Sequence, residues 1–201
     1  MITFMSDIIC VTASSICERP FLRQLKLIAE AGPKYIILRE KHLDVYEYSS
    51  LAKNAIKECS GYGADIVLHY YWKAAIELGV DRIHLPLHIL RELSDKEKNF
   101  FKLIGVSCHS VEDAAEAESL GASYITAGHI FATDCKKDLP PRGLDFLRKV
   151  CEAVEIPVYA IGGITPDNAD EAFKCGAAGA CIMSGFMKSD NPEELLKSFN
   201  R

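Results

Sequence analysis

Short runs of β-branched and aliphatic residues alternate with longer amphipathic stretches along the whole chain. Strand-like runs fall at residues 8–12, 34–38, 66–68, 82–85, 103–107, 123–126, 157–161 and 180–183. Between them lie stretches with apolar residues at helical spacing. The first, 19–31, places Leu22, Leu25, Ile28 and Ala29 on one face. Further helices are predicted over 45–59, 72–78, 110–120, 144–154, 166–175 and 192–199, with a weak helical turn over 87–93. The punctuation agrees with the periodicity. Ser110 stands at an N-cap with Asp113 three residues on, an approximate capping box. Thr165 is placed as a cap before Pro166 at the first helical position. Gly79, Gly121 and Gly176 stand just past helix ends.

Eight strand–helix units in 201 residues is the count of a single (β/α)8 TIM barrel at the small end of its size range, with residues 1–201 as one domain. The strand runs are continuously apolar, as in parallel strands buried on both faces. A doubly wound sheet is the competing architecture, but no G-x-G-x-x-G follows the first strand.

Composition narrows the function. The chain is 49% hydrophobic and 25% charged with a net charge of −5, an ordinary soluble mixture. It has no basic cluster, which disfavours nucleic acid and anionic membranes as partners. No apolar run is long enough to span a bilayer, and residues 1–7 show no secretory signal pattern. The eight cysteines include no C-x-x-C pair, so reduced thiols in a cytoplasmic protein are expected.

In a barrel of this kind, catalytic groups come from the carboxyl ends of the strands. Those ends supply Arg39 and Lys41, His69, His84, Ser107 and His109, Gly128–His129, Gly162–Gly163, and Met183–Ser184–Gly185. The glycines after the seventh and eighth strands lie where barrels commonly bind phosphate through backbone N–H groups; two ligand-free turns are the bland reading. Arg39 and Lys41 form a cationic pair suited to an anion, or else to a salt bridge with Glu40 or Asp7. His42 and His88 look like surface loop residues, and His84 suits a structural role as well as a chemical one. The longest connection, 127–143, packs His129, Thr133, Lys136 and Lys137 beside apolar Ile130 and Phe131. It reads as an active-site loop, with His129 as a candidate proton shuttle.

At this point the residues carry a resemblance. L-R-E-K (38–41), H-L-P (84–86), G-V-S-C-H-S (105–110), Y-I-T-A-G-H-I-F-A-T-D-C-K-K (124–137), V-Y-A-I-G-G-I-T-P-D-N (158–168) and the glycine-rich run 176–185 resemble the thiamine phosphate synthase/TenI superfamily, in order and across nearly the whole chain. The resemblance implies one of two activities. One is a magnesium-dependent synthase joining a pyrimidine pyrophosphate to a thiazole phosphate. The other is a TenI-type thiazole tautomerase that aromatises a carboxythiazole phosphate by a metal-free 1,3-proton shift.

Departures from the synthase pattern favour the tautomerase as the expectation. The Asn-Asp after the third strand is His69-Tyr70, a later Asp is Ile89, and the Gly-Pro of the sixth loop is Gly128-His129. Cys135 replaces a synthase threonine. The resemblance then implies an isomerase without metal or cofactor, with His129 catalytic. Gly162, Gly163, Met183 and Ser184, with Thr133 and Lys136, would hold the phosphate of a thiazole ligand. Arg39, Lys41 and Ser107 would face its carboxylate. His69 is a second acid/base group or a filler of the vacated metal pocket. The alternatives are the synthase, a transferase needing magnesium, and a non-catalytic regulatory barrel that binds a thiazole phosphate. Relatives of this type commonly form homodimers.

Overall fold

The computed structural model describes residues 7–133, 136 and 139–199. Residues 1–6, read above for a signal, lie outside them. Eight parallel strands pair in chain order, and the eighth closes on the first. They are β1 (Asp7–Val11), β2 (Tyr35–Leu38), β3 (Asp65–His69), β4 (Arg82–Pro86), β5 (Leu103–Cys108), β6 (Tyr124–Gly128), β7 (Val158–Ile161) and β8 (Gly179–Ile182). The helices are α1 (Phe21–Ala31), α2 (Val45–Cys59), α3 (Trp72–Glu77), α4 (Leu87–Glu92), α5 (Asp95–Lys98), α6 (Val111–Ser119), α7 (Gly143–Ala153), α8 (Ala169–Lys174), α9 (Ser184–Lys188) and α10 (Pro192–Ser198). This is the (β/α)8 barrel that the strand count predicts.

The continuous apolar runs resolve into two packed layers. Ile8, Cys10, Ile36, Leu38, Leu68 and Val106 lie in the large cluster with the buried faces of the helices. Their sequence neighbours Ile9, Val11, Ile37, Val67, Tyr124, Tyr159 and Cys181 form a separate cluster that fills the barrel interior. A strand buried on both faces needs apolar residues at every position, which is why the sequence does not alternate. No helix among the described residues is long and apolar enough to cross a membrane.

Three local departures from the predicted elements have physical causes. The helix expected from 166 begins at Ala169, because Asn168 takes over the turn: its side-chain oxygen accepts from the Thr165 N–H at 2.9 Å and its amide donates to the Gly163 carbonyl at 2.9 Å. Thr165 is therefore not the cap. Helix α5 is all polar (D-K-E-K) and leaves no periodicity to read; a reciprocal capping box between Ser94 and Glu97 starts it. Helix α9 follows β8 directly, and its brevity hid it. The Ser110 cap is present, accepting from the Asp113 N–H at 2.9 Å, while the Asp113 carboxylate reaches back to the His109 N–H instead of Ser110.

Candidate active site at the carboxyl mouth of the barrel

The β2–β3 seam is wedged at its carboxyl end. Leu38 still pairs with Leu68, but beyond them the buried Tyr48 of α2 inserts its hydroxyl between the strands. It donates to the Leu38 carbonyl at 2.7 Å and accepts from the His69 N–H at 2.8 Å. Burial pushes this phenol up, so it stays protonated and able to donate. The next residues on the two strands, Arg39 and the buried His69, are thus set at the mouth.

Glu40, only 3% exposed, does not pair with Arg39. One carboxylate oxygen accepts from the Thr12 hydroxyl at 2.6 Å, the other from the Ser14 hydroxyl at 2.6 Å, and the Ser14 N–H also donates to the group. The Thr12 oxygen in turn accepts from the Arg39 N–H at 2.9 Å. With both its oxygens satisfied, the buried carboxylate staples the β1 loop to the end of β2. Lys41 is exposed on the same rim. Its pKa is lowered, first by partial burial and then by the neighbouring charges of Arg39 and Lys136. Lys41 therefore feels cations from its own loop and from the β6 loop.

Deeper inside, His84 is committed through both ring nitrogens, Nδ1 to the Tyr124 hydroxyl at 3.0 Å and Nε2 to the Ser107 hydroxyl at 2.8 Å. Gly105 makes room for this: a Cβ there would stand 2.1 Å from the Tyr124 ring and 2.5 Å from His84 Nδ1. His69 stacks on His84, with ring centroids 5.9 Å apart. Both imidazoles are held neutral. Burial, then His84 and the charges of Arg39 and Lys41, push His69 down to about 2. Burial, then Arg39, push His84 down to about 3. Tyr70, next to His69, has a left-handed backbone (φ 69°) that a side chain rarely adopts, and its ring lies against those of His69 and Tyr71.

On the opposite side, the loop after β6 rests on the loop after β7. Ile130 N–H donates to the Ile161 carbonyl and Phe131 N–H to the Gly162 carbonyl, both at 3.0 Å. The loop closes on itself through Arg142 N–H to the His129 carbonyl at 2.9 Å and Gly143 N–H to the Ile130 carbonyl at 3.1 Å. His129, 5% exposed, donates from Nε2 to the Leu139 carbonyl at 3.3 Å. His109 donates from Nδ1 to the Gly128 carbonyl at 3.1 Å. Gly162 (φ 95°) and Gly163 (φ 68°) lie beneath this loop; a Cβ on the first would come within 2.2 Å of the His129 Cβ, and on the second within 2.5 Å of the Ala132 carbonyl oxygen. The N–H groups of these two glycines make no backbone hydrogen bond among the described residues. Helix α9, opening at the exposed Ser184, is anchored by the Gln24 amide, which donates to the Phe186 and Ser189 carbonyls at 2.6 and 2.9 Å.

The structure thus places Arg39, Lys41, Ser107, Lys136, Gly162, Gly163, Met183 and Ser184 at the carboxyl end of the barrel, with His129 under the β6 loop and Thr133 on it. Cys135 and Lys137 lie outside the described residues. Tyr48, Tyr124, Gln24 and Asn168 were not singled out in the sequence. Gln24 left one signal, a polar residue on the apolar face of α1 beside Leu25 and Ile28. Tyr48 and Tyr124 left none, since an aromatic residue at a core position reads as packing. A surface recess of about 480 Å³ lined by Asp95, Lys98, Phe101 and Gly121 lies at the amino-terminal end of the barrel, away from these groups.

The closed parallel barrel, with polar and cationic side chains gathered at the carboxyl ends of its strands, is of the (β/α)8 class. Residues 8–186 match the family model described as thiamine monophosphate synthase, and the chain belongs to that family. It is 34% identical over 174 residues to the thiamine-phosphate synthase of Caldivirga maquilingensis, covering 87% of this chain and 85% of that one. It is 36% identical over 168 residues to a putative thiamine-phosphate synthase 2 of Aquifex aeolicus, covering 84% and 90%. Among solved structures, thiamine phosphate pyrophosphorylase from Pyrococcus furiosus superposes with a TM-score of 0.81 at 27% identity, covering 99% of this chain and 96% of that one.

These relatives correct the functional expectation. The TenI-type tautomerase, and with it the isomerase class, is overturned: relatives matching most of the chain carry the name of the synthase, a transferase. The departures at His69-Tyr70, Ile89 and Gly128-His129 do not outweigh an identity that extends over most of the chain.

The synthase resemblance implies magnesium. Mg²⁺ demands oxygen ligands, chiefly carboxylates. Tyr70 and Ile89 supply none, with Ile89 packed against the core, and both Glu40 oxygens are taken by Thr12 and Ser14. No group of three or more His, Cys, Asp or Glu side chains among the described residues could hold a metal ion. The described residues do not fit the ion.

Proposed function

We propose that this chain is a transferase of the thiamine-phosphate synthase type, joining a pyrimidine pyrophosphate to a thiazole phosphate with release of pyrophosphate. Identity of 32–36% to proteins of that name over 84–91% of the chain is the observation that carries the reading. In the reaction the bond from the pyrimidine methylene carbon to the pyrophosphate oxygen breaks, and the thiazole nitrogen forms the new bond to that carbon. Negative charge grows on the departing pyrophosphate.

Preorganised cations aimed at such a charge lower the barrier without reorganising as the reaction proceeds. Arg39 and Lys41 take that role, with Lys136 approaching from the β6 loop. The Arg39 guanidinium offers a bidentate fork to phosphate oxygens. Ser107, held by the neutral His84, offers a hydroxyl to the ligand from inside the mouth. The backbone N–H groups of Gly162 and Gly163, with Ser184 of α9, receive the thiazole phosphate, and Met183 packs beside them. Thr133 offers a further hydroxyl from the β6 loop. His129 acts as a positioning residue, holding that loop closed over the glycines.

The test is direct. Purified protein is incubated with both substrates, in magnesium buffer and in EDTA, and thiamine phosphate and released pyrophosphate are quantified. Stoichiometric formation of the two products supports the reading. No product under either condition, with folded protein, refutes it.

A further inference from the structure

A ladder of near-parallel rings climbs from the barrel interior to its mouth. His84, 3% exposed, stacks with His69, 6% exposed, at a centroid distance of 5.9 Å and an interplanar angle of 15°. Tyr70 continues the series, 6.4 Å from His69 at 24°, and is 42% exposed. Single exposed aromatic residues are ordinary, but this one is held in place at a conformational cost. The Tyr70 N–H donates to the His84 carbonyl at 3.0 Å, and the Trp72 N–H donates to the Tyr70 carbonyl at 2.8 Å. Between them, the Tyr71 N–H donates to the His69 carbonyl at 2.8 Å and closes a three-residue turn centred on Tyr70, whose φ is 69°. Such a backbone persists only where its surroundings over-determine it, and it concentrates at ligand-binding sites.

The ring is braced as firmly as the backbone. Tyr71 stands edge-on to it, with centroids 5.2 Å apart and planes at 89°. Tyr71 is itself fixed, its hydroxyl donating to the Leu43 carbonyl at 2.7 Å and its ring packed against Tyr48. A braced aromatic ring that opens on the mouth stabilises nothing on its solvent side, yet it offers a flat, preorganised face. Both substrates of the proposed reaction carry a flat heterocycle, and aromatic rings favour offset stacking on such a face. Resting on that reading of the function, we infer that Tyr70 is a substrate-binding residue whose ring stacks on the heterocycle of one of the two substrates.

Tyr70→Gly removes the ring and tolerates the positive φ; Tyr70→Asn, also tolerated there, repeats the test in a second variant. Pyrimidine pyrophosphate, thiazole phosphate and inorganic pyrophosphate are titrated calorimetrically, each alone in magnesium buffer, into the full wild-type chain and the variants. Both variants should bind the stacked heterocycle about five- to tenfold more weakly, and the arm that weakens names the substrate. Inorganic pyrophosphate, which has no ring, should bind within about twofold of wild type. Tyr70→Phe should keep the heterocycle affinity within about twofold. Tyr70→Gly should melt no lower than wild type, because its backbone is released from strain. Unchanged heterocycle affinity in the Gly and Asn variants, an equal loss for inorganic pyrophosphate, or a Phe variant as weak as the Gly variant overturns the inference while leaving the proposed function standing. So does a marked fall in the melting temperature of Tyr70→Gly, which would make the ring a packing element of the fold. Absence of binding of either heterocycle to the wild type overturns the inference and the reading of the function together.

Discussion

Replacing Tyr48 by Phe removes one oxygen atom from a site that is 1% exposed and strands two backbone groups, the Leu38 carbonyl and the His69 N–H. Each buried group left without a partner costs about 1–3 kcal/mol. The sum, about 2–6 kcal/mol, is reduced because the hydroxyl itself no longer has to be desolvated and because the strands can shift slightly together. A loss of about 3 kcal/mol is the working value, and for a chain of this size it lowers Tm by about 6–12 °C. Urea unfolding followed by circular dichroism at pH 7.5 measures it, with pyrophosphate affinity recorded on the same samples. The wedge also spaces Arg39 from His69, so anion affinity should fall although Tyr48 lies behind the mouth. A stability loss below about 0.5 kcal/mol together with unchanged affinity refutes the reasoning: the strands would then pair directly and the hydroxyl would be a bystander.

His69 and His84, pushed down from 6.5 to about 2 and about 3, remain neutral in the folded chain across the usual working range. The unfolded chain protonates them near 6.5, so stability is complete above that pH and drains away as pH falls toward 3; at pH 5.5 the pair should cost about 3 kcal/mol, read as a lower urea midpoint than at pH 7.5, and an unchanged midpoint refutes it. Gly105→Ala drives a methyl group into Tyr124 and His84; a loss of about 2–3 kcal/mol with an altered near-ultraviolet tyrosine signal is expected, and a neutral substitution would show that the interior polar chain can move aside. Gly162→Ala meets both the His129 Cβ and an unfavourable positive φ; about 2–4 kcal/mol of destabilisation, with weakened phosphate-ligand binding, is expected from thermal melts and calorimetry.

The barrel itself was legible because its strands must be apolar on both faces and its helices on one, a pattern that eight repeats make unmistakable. Elements without an apolar face, such as α5, were not legible, and neither was α8's true start, which a side-chain bond from Asn168 decides. At the mouth, Arg39, Lys41, Ser107 and the paired glycines were visible as residues at strand ends. The bonding of Glu40 was not: adjacency suggested a pair with Arg39, whereas its partners lie 26 to 28 residues earlier. The choice of activity failed for a related reason. A few substituted positions do not decide an activity, because the character of a site is set by the whole surround that holds them.

The stacking of the β6 loop on Gly162 and Gly163 ties two stretches more than thirty residues apart into one inherited unit. Each carbon missing from those glycines is space the loop backbone already fills, so neither partner can drift independently. Among natural variants of this chain, a side chain at position 162 or 163 should therefore coincide with a loop of different length or composition between 129 and 143. Sequences that retain both glycines should retain the loop.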